Sequence, residues 1–317
     1  MKRIVIRSLV VVALIVIAAV ALLRQPIFRV YRYDVADHAD PAALRRHVAF
    51  LSSTRRTSRD LGELDRAAHY IADRMRENGA TDVADDVFEA RGHTYRNVVA
   101  QFAMQKKGKP LIIGAHYDAF CESKGPCPAA DDNASGTAAL IELVRLFAKY
   151  PPSQPVRVIA FTNEEPPFFH SEEMGSAYDA GLLDRGHWEL EGMISLEMIG
   201  YYTAEQDYGS WVLDLLYPRR GDFVAVAGGW DDRALTRRVK AGLAGTHMPV
   251  CSITAPREWS AASDQVSYWN HGFRAVMVTD TAYIRNPNYH TPRDTPSTLD
   301  YERMARVTDG IFNAALH

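Results

Sequence analysis

The chain has 317 residues, 24% of them charged and 47% hydrophobic, with a formal net charge of -3. That length holds one large domain or two small ones with a substantial core. The slightly acidic balance supplies no basic face for nucleic acid, so no such partner is expected, and no low-complexity tract or solenoid-period repeat is present.

The unusual composition sits at the start. From Leu9 to Leu23 nothing is charged, and counting back to Ile4 gives about the 20 residues that cross a bilayer as a helix. Lys2, Arg3 and Arg7 precede the run in the arrangement of a targeting segment. Ala19-Val20-Ala21 resembles a signal-peptidase site, but Leu22 and Leu23 continue the apolar run beyond it. The reading adopted is an uncleaved transmembrane anchor and linker over residues 1–37, with residues 38–317 forming one domain on the extracytoplasmic (periplasmic) side. Secretion after cleavage is the alternative. Of three cysteines, Cys121 and Cys127 lie six apart in a Pro/Gly loop and can close a small disulfide in an oxidising compartment, with two free thiols as the alternative. Cys251, in a strand-like stretch, reads as a buried filler.

Asp40-Pro41 opens the first predicted helix, with an acceptor at the cap and proline in the first turn. Leu61, Leu64, Ala68 and Ile71 share one face of a second helix that stops near Gly79. Short strands are predicted over 86–90 and 97–103, a strand over 111–116, a helix over 135–149 and a strand over 156–162. A short helix near Met174 follows, then strands over 193–199 and 222–228, a helix over 231–243, strands over 249–254 and 274–280, and a closing helix from Leu299. Apolar strands alternating with helices predict an α/β fold around a central buried sheet.

In such folds ligands bind beyond the carboxyl ends of the strands. The polar interruptions fall there. His116-Tyr117-Asp118 ends one predicted strand, Glu164-Glu165 another, and Glu197 a third; Asp131-Asp132-Asn133 precedes a long helix and Tyr289-His290 lies near the last. Singly, each is as readily a turn, a cap or a solvated side chain. Together they are the nitrogen and oxygen donors that suit zinc. Along an extended backbone His116 and Asp118 point to one side, so the Asp118 carboxylate can accept the proton of the far ring nitrogen. Neighbouring Glu164 and Glu165 point to opposite sides, so one can hold metal while the other takes a proton.

In this order, His116-Tyr117-Asp118, Ala130 to Gly136, Asn163-Glu164-Glu165, Leu196 to Tyr201, Ser263-Asp264 and Tyr289 to Thr295 resemble the co-catalytic zinc aminopeptidase family, which includes bacterial leucyl aminopeptidases, glutamate carboxypeptidase and the glutaminyl cyclases. The likeness runs from about Asn97 to Thr295. It implies a three-layer αβα sandwich with a mixed, mostly parallel sheet, and two zinc ions per chain. One would take His116 and Glu197, the other Glu165 and His290, with Asp132 bridging. Glu164 would be the general base, Asp118 would support His116, Asp264 would play a similar part, and Tyr289 is a candidate donor to a developing oxyanion. The implied activity is hydrolysis of N-terminal residues from a peptide substrate. Two alternatives stand beside it: single-zinc glutaminyl cyclisation and a non-catalytic receptor-like ectodomain. Glu197 stands where many relatives have Asp, and Pro166 to Ser176 is longer and more aromatic than the usual turn after the glutamate pair. Within that stretch His170 is read as a loop residue in preference to an extra ligand.

Overall fold

A computed structural model describes residue 14 and residues 17–121 and 125–317. Asp40 accepts the amide of Ala42 and starts α1 (Pro41–Ser53); Asp60 accepts that of Glu63 and starts α2 (Leu61–Glu77). Then follow β1 (Val83–Ala90), β2 (His93–Phe102), β3 (Leu111–His116), α3 (Gly136–Lys149), β4 (Val156–Phe161), α4 (Gly175–Arg185) and β5 (Gly192–Glu197). The second half holds α5 (Trp211–Leu216), β6 (Val224–Gly228), α6 (Arg233–Gly245), β7 (Val250–Thr254), α7 (Gln265–Asn270), β8 (Ala275–Thr279) and α8 (Tyr301–Leu316).

The strands form one sheet in the order β1-β2-β4-β3-β5-β8-β6-β7. Its middle, β4-β3-β5-β8, is parallel, and β6 returns antiparallel against β8. The first two strands are antiparallel, so the sheet is mixed. Every residue of β3, β5, β6 and β8 is buried, as strands covered on both faces require. One face packs on α1, α2, α3, α6 and α8 through the larger core, which includes Leu44, Ile71, Leu140, Phe147 and Phe312. The other carries α4 and α7 over Ile112, Ile159, Phe161, Tyr268 and Trp269. This is the expected three-layer arrangement.

Two elements escape the sequence reading. Helices α5 and α7 have six residues each, too few for an apolar period to register. The predicted transmembrane run falls largely outside the described residues, and among those described no helix is long and apolar enough to cross a membrane. Residues 17–24 are helical, and the stretch after them is fastened to the domain: Lys240 Nζ donates to the carbonyls of Arg24 and Gln25 at 2.5 and 2.7 Å. Cys121 and Cys127 form a disulfide with a Cα–Cα distance of 5.6 Å, and Cys251 is a buried free thiol.

Candidate metal centre

Because β3, β4 and β5 run parallel, their carboxyl ends share one rim of the sheet, and the polar residues that follow them meet there. His116 is the last residue of β3 and Glu197 the last of β5. Glu164 and Glu165 lie just past β4, beyond Asn163, whose φ is +61°. Before α3 the backbone leaves helical angles at Asp132 and Asn133, which turns the Asp132 carboxylate toward the strand ends. His290 arrives from the loop between β8 and α8 with φ +56°. Such left-handed non-glycine residues are uncommon and cluster at functional sites.

All five residues expected as ligands converge. Asp132 sits between the two imidazoles, with Oδ1 3.3 Å from His116 Nε2 and Oδ2 3.1 Å from His290 Nε2. Glu197 Oε2 is 3.3 Å from His116 Nε2, and Glu165 Oε2 is 3.4 Å from His290 Nε2. Glu164 Oε2 stands 3.8 Å from His116 Nε2, on the Glu197 side. His116, Asp132 and Glu165 form one group able to hold a metal ion, and His116, Glu164 and Glu197 another.

The electrostatics of this pocket suit a divalent cation. Four carboxylates and His116 are buried, with no lysine or arginine reaching them in an ion pair among the described residues. Burial pushes Glu165 up to about 8, with Asp132 adding to the rise, and drives Glu164 well above the usual range. Burial alone would lower His116, but the carboxylates of Glu164 and Glu197 reverse the sign and raise it well above the ordinary value. Asp132 is likewise pushed up by burial, yet the two imidazoles close against its oxygens more than offset this and hold it low. His116 Nε2, His290 Nε2 and Glu165 Oε1 are buried without hydrogen-bond partners. Orphaned donors of these types at the strand ends fit divalent zinc, which neutralises such clusters by direct bonding.

Around this core the structure refines several expectations. The Asp118 carboxylate is 3.5 Å from His116 Nδ1, and the nearer oxygen at 3.2 Å is the Asp118 carbonyl. The carboxylate also accepts the backbone N–H groups of Glu164 and Glu165 at 3.1 and 3.0 Å. Asp118 therefore holds the glutamate pair in place while its carboxylate lies beside the His116 ring. Asp264 is fully buried, pushed up to about 7 by burial, and it is the adjacent Ser263 that donates to Glu197 at 2.6 Å. Tyr289 stacks on His290 with ring centroids 3.8 Å apart, and burial with Asp132 and Glu165 keeps its phenol protonated. Phe120 meets His290 edge-on with ring centroids 5.0 Å apart. His170 stays out of the cluster, stacked on Phe169 with Nε2 3.1 Å from the Ala261 carbonyl.

Some supporting residues had no role assigned from sequence. Asp294 accepts the amides of Asp131 and Asp132 at 3.0 and 3.1 Å, and Asn133 ties the same turn to the Leu196 carbonyl at 2.7 Å. Both lie in the quoted motifs, which was the available signal. Arg56, wholly buried, donates to the carbonyls of Pro128 and Ala129 just upstream; nothing in its surroundings in the sequence marks it.

The model of Peptidase family M28 matches residues 97–315. The chain belongs to that family. It is 41% identical over 287 residues to YfbL of Escherichia coli (strain K12), covering 87% of each chain. It is 25% identical over 255 residues to leucine aminopeptidase 1 of Ajellomyces capsulatus (strain G186AR / H82 / ATCC MYA-2454 / RMSCC 2432), covering 75% of this chain and 60% of that one. The family member described here thus spans about three fifths of that fungal relative. In fold it is similar to LapB of Legionella pneumophila, with a TM-score of 0.72 at 22% identity over 92% of this chain and 77% of the other. It is similar too to a glutaminyl cyclase of Bacteroides thetaiotaomicron, with a TM-score of 0.64 at 16% identity, 89% of this chain and 99% of that one.

Proposed function

We propose that this M28 peptidase is an aminopeptidase working with two zinc ions, one held by His116 and Glu197, the other by Glu165 and His290, with Asp132 shared. The observation that carries the reading is Asp132 itself, which presents one oxygen to each imidazole at 3.3 and 3.1 Å. When bound, zinc supplies Lewis acidity that polarises the scissile carbonyl and makes a coordinated water acidic. Glu164 takes the proton of the attacking water and returns it to the leaving amine; its carboxylate faces the cluster and its backbone N–H is fixed by Asp118. The protonated Tyr289 phenol, steered by its stack on His290, donates to the carbonyl oxygen as charge develops there. Asp118 keeps both glutamates in register, and Asp294 keeps Asp132 in the turn that aims it inward.

Glutaminyl cyclisation on one zinc is the competing activity. Against it, both halves of the cluster carry an imidazole and a carboxylate, as two metals require. For location, we propose that residues 1–37 tether the domain to a membrane with the site outside the cytoplasm. The uncharged run from Leu9 to Leu23 and the disulfide between Cys121 and Cys127 support this.

The deciding experiment measures metal stoichiometry, aminoacyl-anilide hydrolysis and N-terminal glutamine cyclisation on the same preparation. Two zinc ions with hydrolysis are expected; one zinc with cyclisation would replace this reading by the other. Glu164→Gln is expected to keep its zinc and lose on the order of 10²–10⁴ in turnover. Unchanged turnover would remove Glu164 as the base.

A further inference from the structure

Helix α5 is inside out for a helix facing water. Trp211 and Leu215, four residues apart and so on one face, are each 78% exposed, and Val212 and Leu213 beside them are also exposed. The acidic residue among them, Asp214, is turned inward: its side chain is 22% exposed and lies 3.7 Å from Arg219. A surface helix normally shows its charges to solvent and its apolar stripe to the core, and a contiguous apolar patch marks a contact surface.

The position of this helix names the contact. Tyr217, which ends α5, packs with Phe223, Ala225 and Cys251. Burial and the neighbouring Cys251 push the Tyr217 phenol up to about 12, with Arg24 close enough to oppose them. Cys251 in turn lines an open groove of about 580 Å³ with Ile17, Val20, Ala21 and Arg24. The apolar N-terminal run therefore meets the domain on the side where α5 lies. It meets it at a fixed point, since Lys240 and Ser252 both hold the Arg24 carbonyl. Just past that point Phe28 is 84% exposed. The side chains of Arg219 and Arg220, flanking α5, are each 74% exposed and long enough to reach lipid headgroups.

We propose that α5 rests on a phospholipid bilayer, with Trp211 and Leu215 inserted at the interface, so that the domain is held at two points and lies against the membrane. The proposal builds on the tether given under Proposed function. Tryptophan is enriched at the membrane–water interface because its ring is apolar and its N–H polar, and an apolar helical face with basic neighbours is the pattern of interfacial binding. There is a consequence for the metal centre. α5 hangs between the end of β5, at Glu197, and the start of β6, which lies opposite the end of β8. It thus sits on the same rim of the sheet as the candidate ligands, and the centre works close to the bilayer surface.

The test uses the full chain in phosphatidylcholine–phosphatidylglycerol vesicles whose acyl chains are brominated, with unbrominated vesicles as reference. Tryptophan quenching is compared between the native chain and Trp211→Phe, which keeps the other four tryptophans. Quenching is expected in the native chain, and roughly half of it or more should vanish in the variant. Leu215→Asp, which keeps Trp211, should reduce quenching as well while the chain still floats with the vesicles. Flotation with Trp211 unquenched overturns the second contact and leaves the tether standing, and so does a Trp211-dependent crosslink between two copies in place of quenching. Failure to float overturns both.

Discussion

Two clusters of buried charge lie in this domain, one against a face of the sheet and one at the strand ends, and only the first holds a basic side chain paired to its carboxylate. On the α4–α7 face, Arg157 Nη2 is 2.8 Å from Asp179 Oδ1, and Tyr268 donates to Asp179 Oδ2 at 2.6 Å. A protein cation answers the carboxylate at Oδ1, and a hydroxyl donates to Oδ2. At the strand ends, Asp132, Glu164, Glu165 and Glu197 crowd two imidazoles, and buried atoms are left without partners. A buried charge that pairs within the chain serves the fold; a buried deficit must be met by something the chain does not encode.

Removing one carboxylate from each cluster should therefore act in opposite ways. Glu165→Gln is expected to lose metal and roughly 10³-fold or more in activity, yet the metal-free protein should unfold no more easily than the native one, since a costly buried charge has gone. Metal content after dialysis and chemical denaturation read the two effects. A large loss of metal-free stability would mean the cluster is a structural one. Asp179→Asn should do the reverse, costing about 1–3 kcal/mol of stability by leaving the buried Arg157 with only the more distant Asp86 carboxylate at 3.5 Å, with metal content unchanged. Retained stability there would erase the contrast between the two clusters.

How much of this was legible in the sequence follows from the same distinction. The strand cores announced themselves as apolar runs, and the ligands as polar residues ending them, because burial and coordination each restrict residue type. His116, Asp132, Glu165, Glu197 and His290 could be picked out for that reason. Residues that act through the backbone could not. Asp294 accepts amides 162 and 163 positions away, and any acceptor at that point in space would serve. The same holds for Asp118, whose carboxylate serves two amides in addition to lying beside the His116 ring. Helix α5 was hidden for another reason: six residues with a single polar side chain, Asp214, hold no readable period, and nothing in them tells which face meets solvent.

Asp294 tests whether the deficit needs its backbone scaffold. Asp294→Asn keeps the shape but weakens acceptance of the Asp131 and Asp132 amides. Loss of about 10–100-fold in metal affinity is expected, as for other residues that orient a ligand, with zinc retained at saturating concentration. Metal titration against a competing chelator measures it. Unchanged affinity would mean that Asn133 and Arg56 suffice to set the turn.

The smallest effect probes the larger core away from both clusters. His47 in α1 is buried, with Nδ1 2.8 Å from the Tyr70 hydroxyl. Burial, with Arg46 and Arg74 adding to it, lowers its imidazole to about 4 from the ordinary 6.5. The folded chain thus prefers neutral His47, whereas the unfolded chain takes up a proton near pH 6.5. Stability from this group is full above that pH and falls as the pH drops toward 4, reaching a loss of about 2 kcal/mol by pH 5. Glu164, Glu165 and Glu197, raised by burial, contribute the opposite slope, so a single unfolding curve cannot isolate the imidazole. His47→Gln can: every carboxylate is common to both chains, and the difference between their denaturation midpoints at pH 7 and pH 5 belongs to residue 47. A native chain that loses no more stability than the variant over that interval would show that His47 is hydrated in solution.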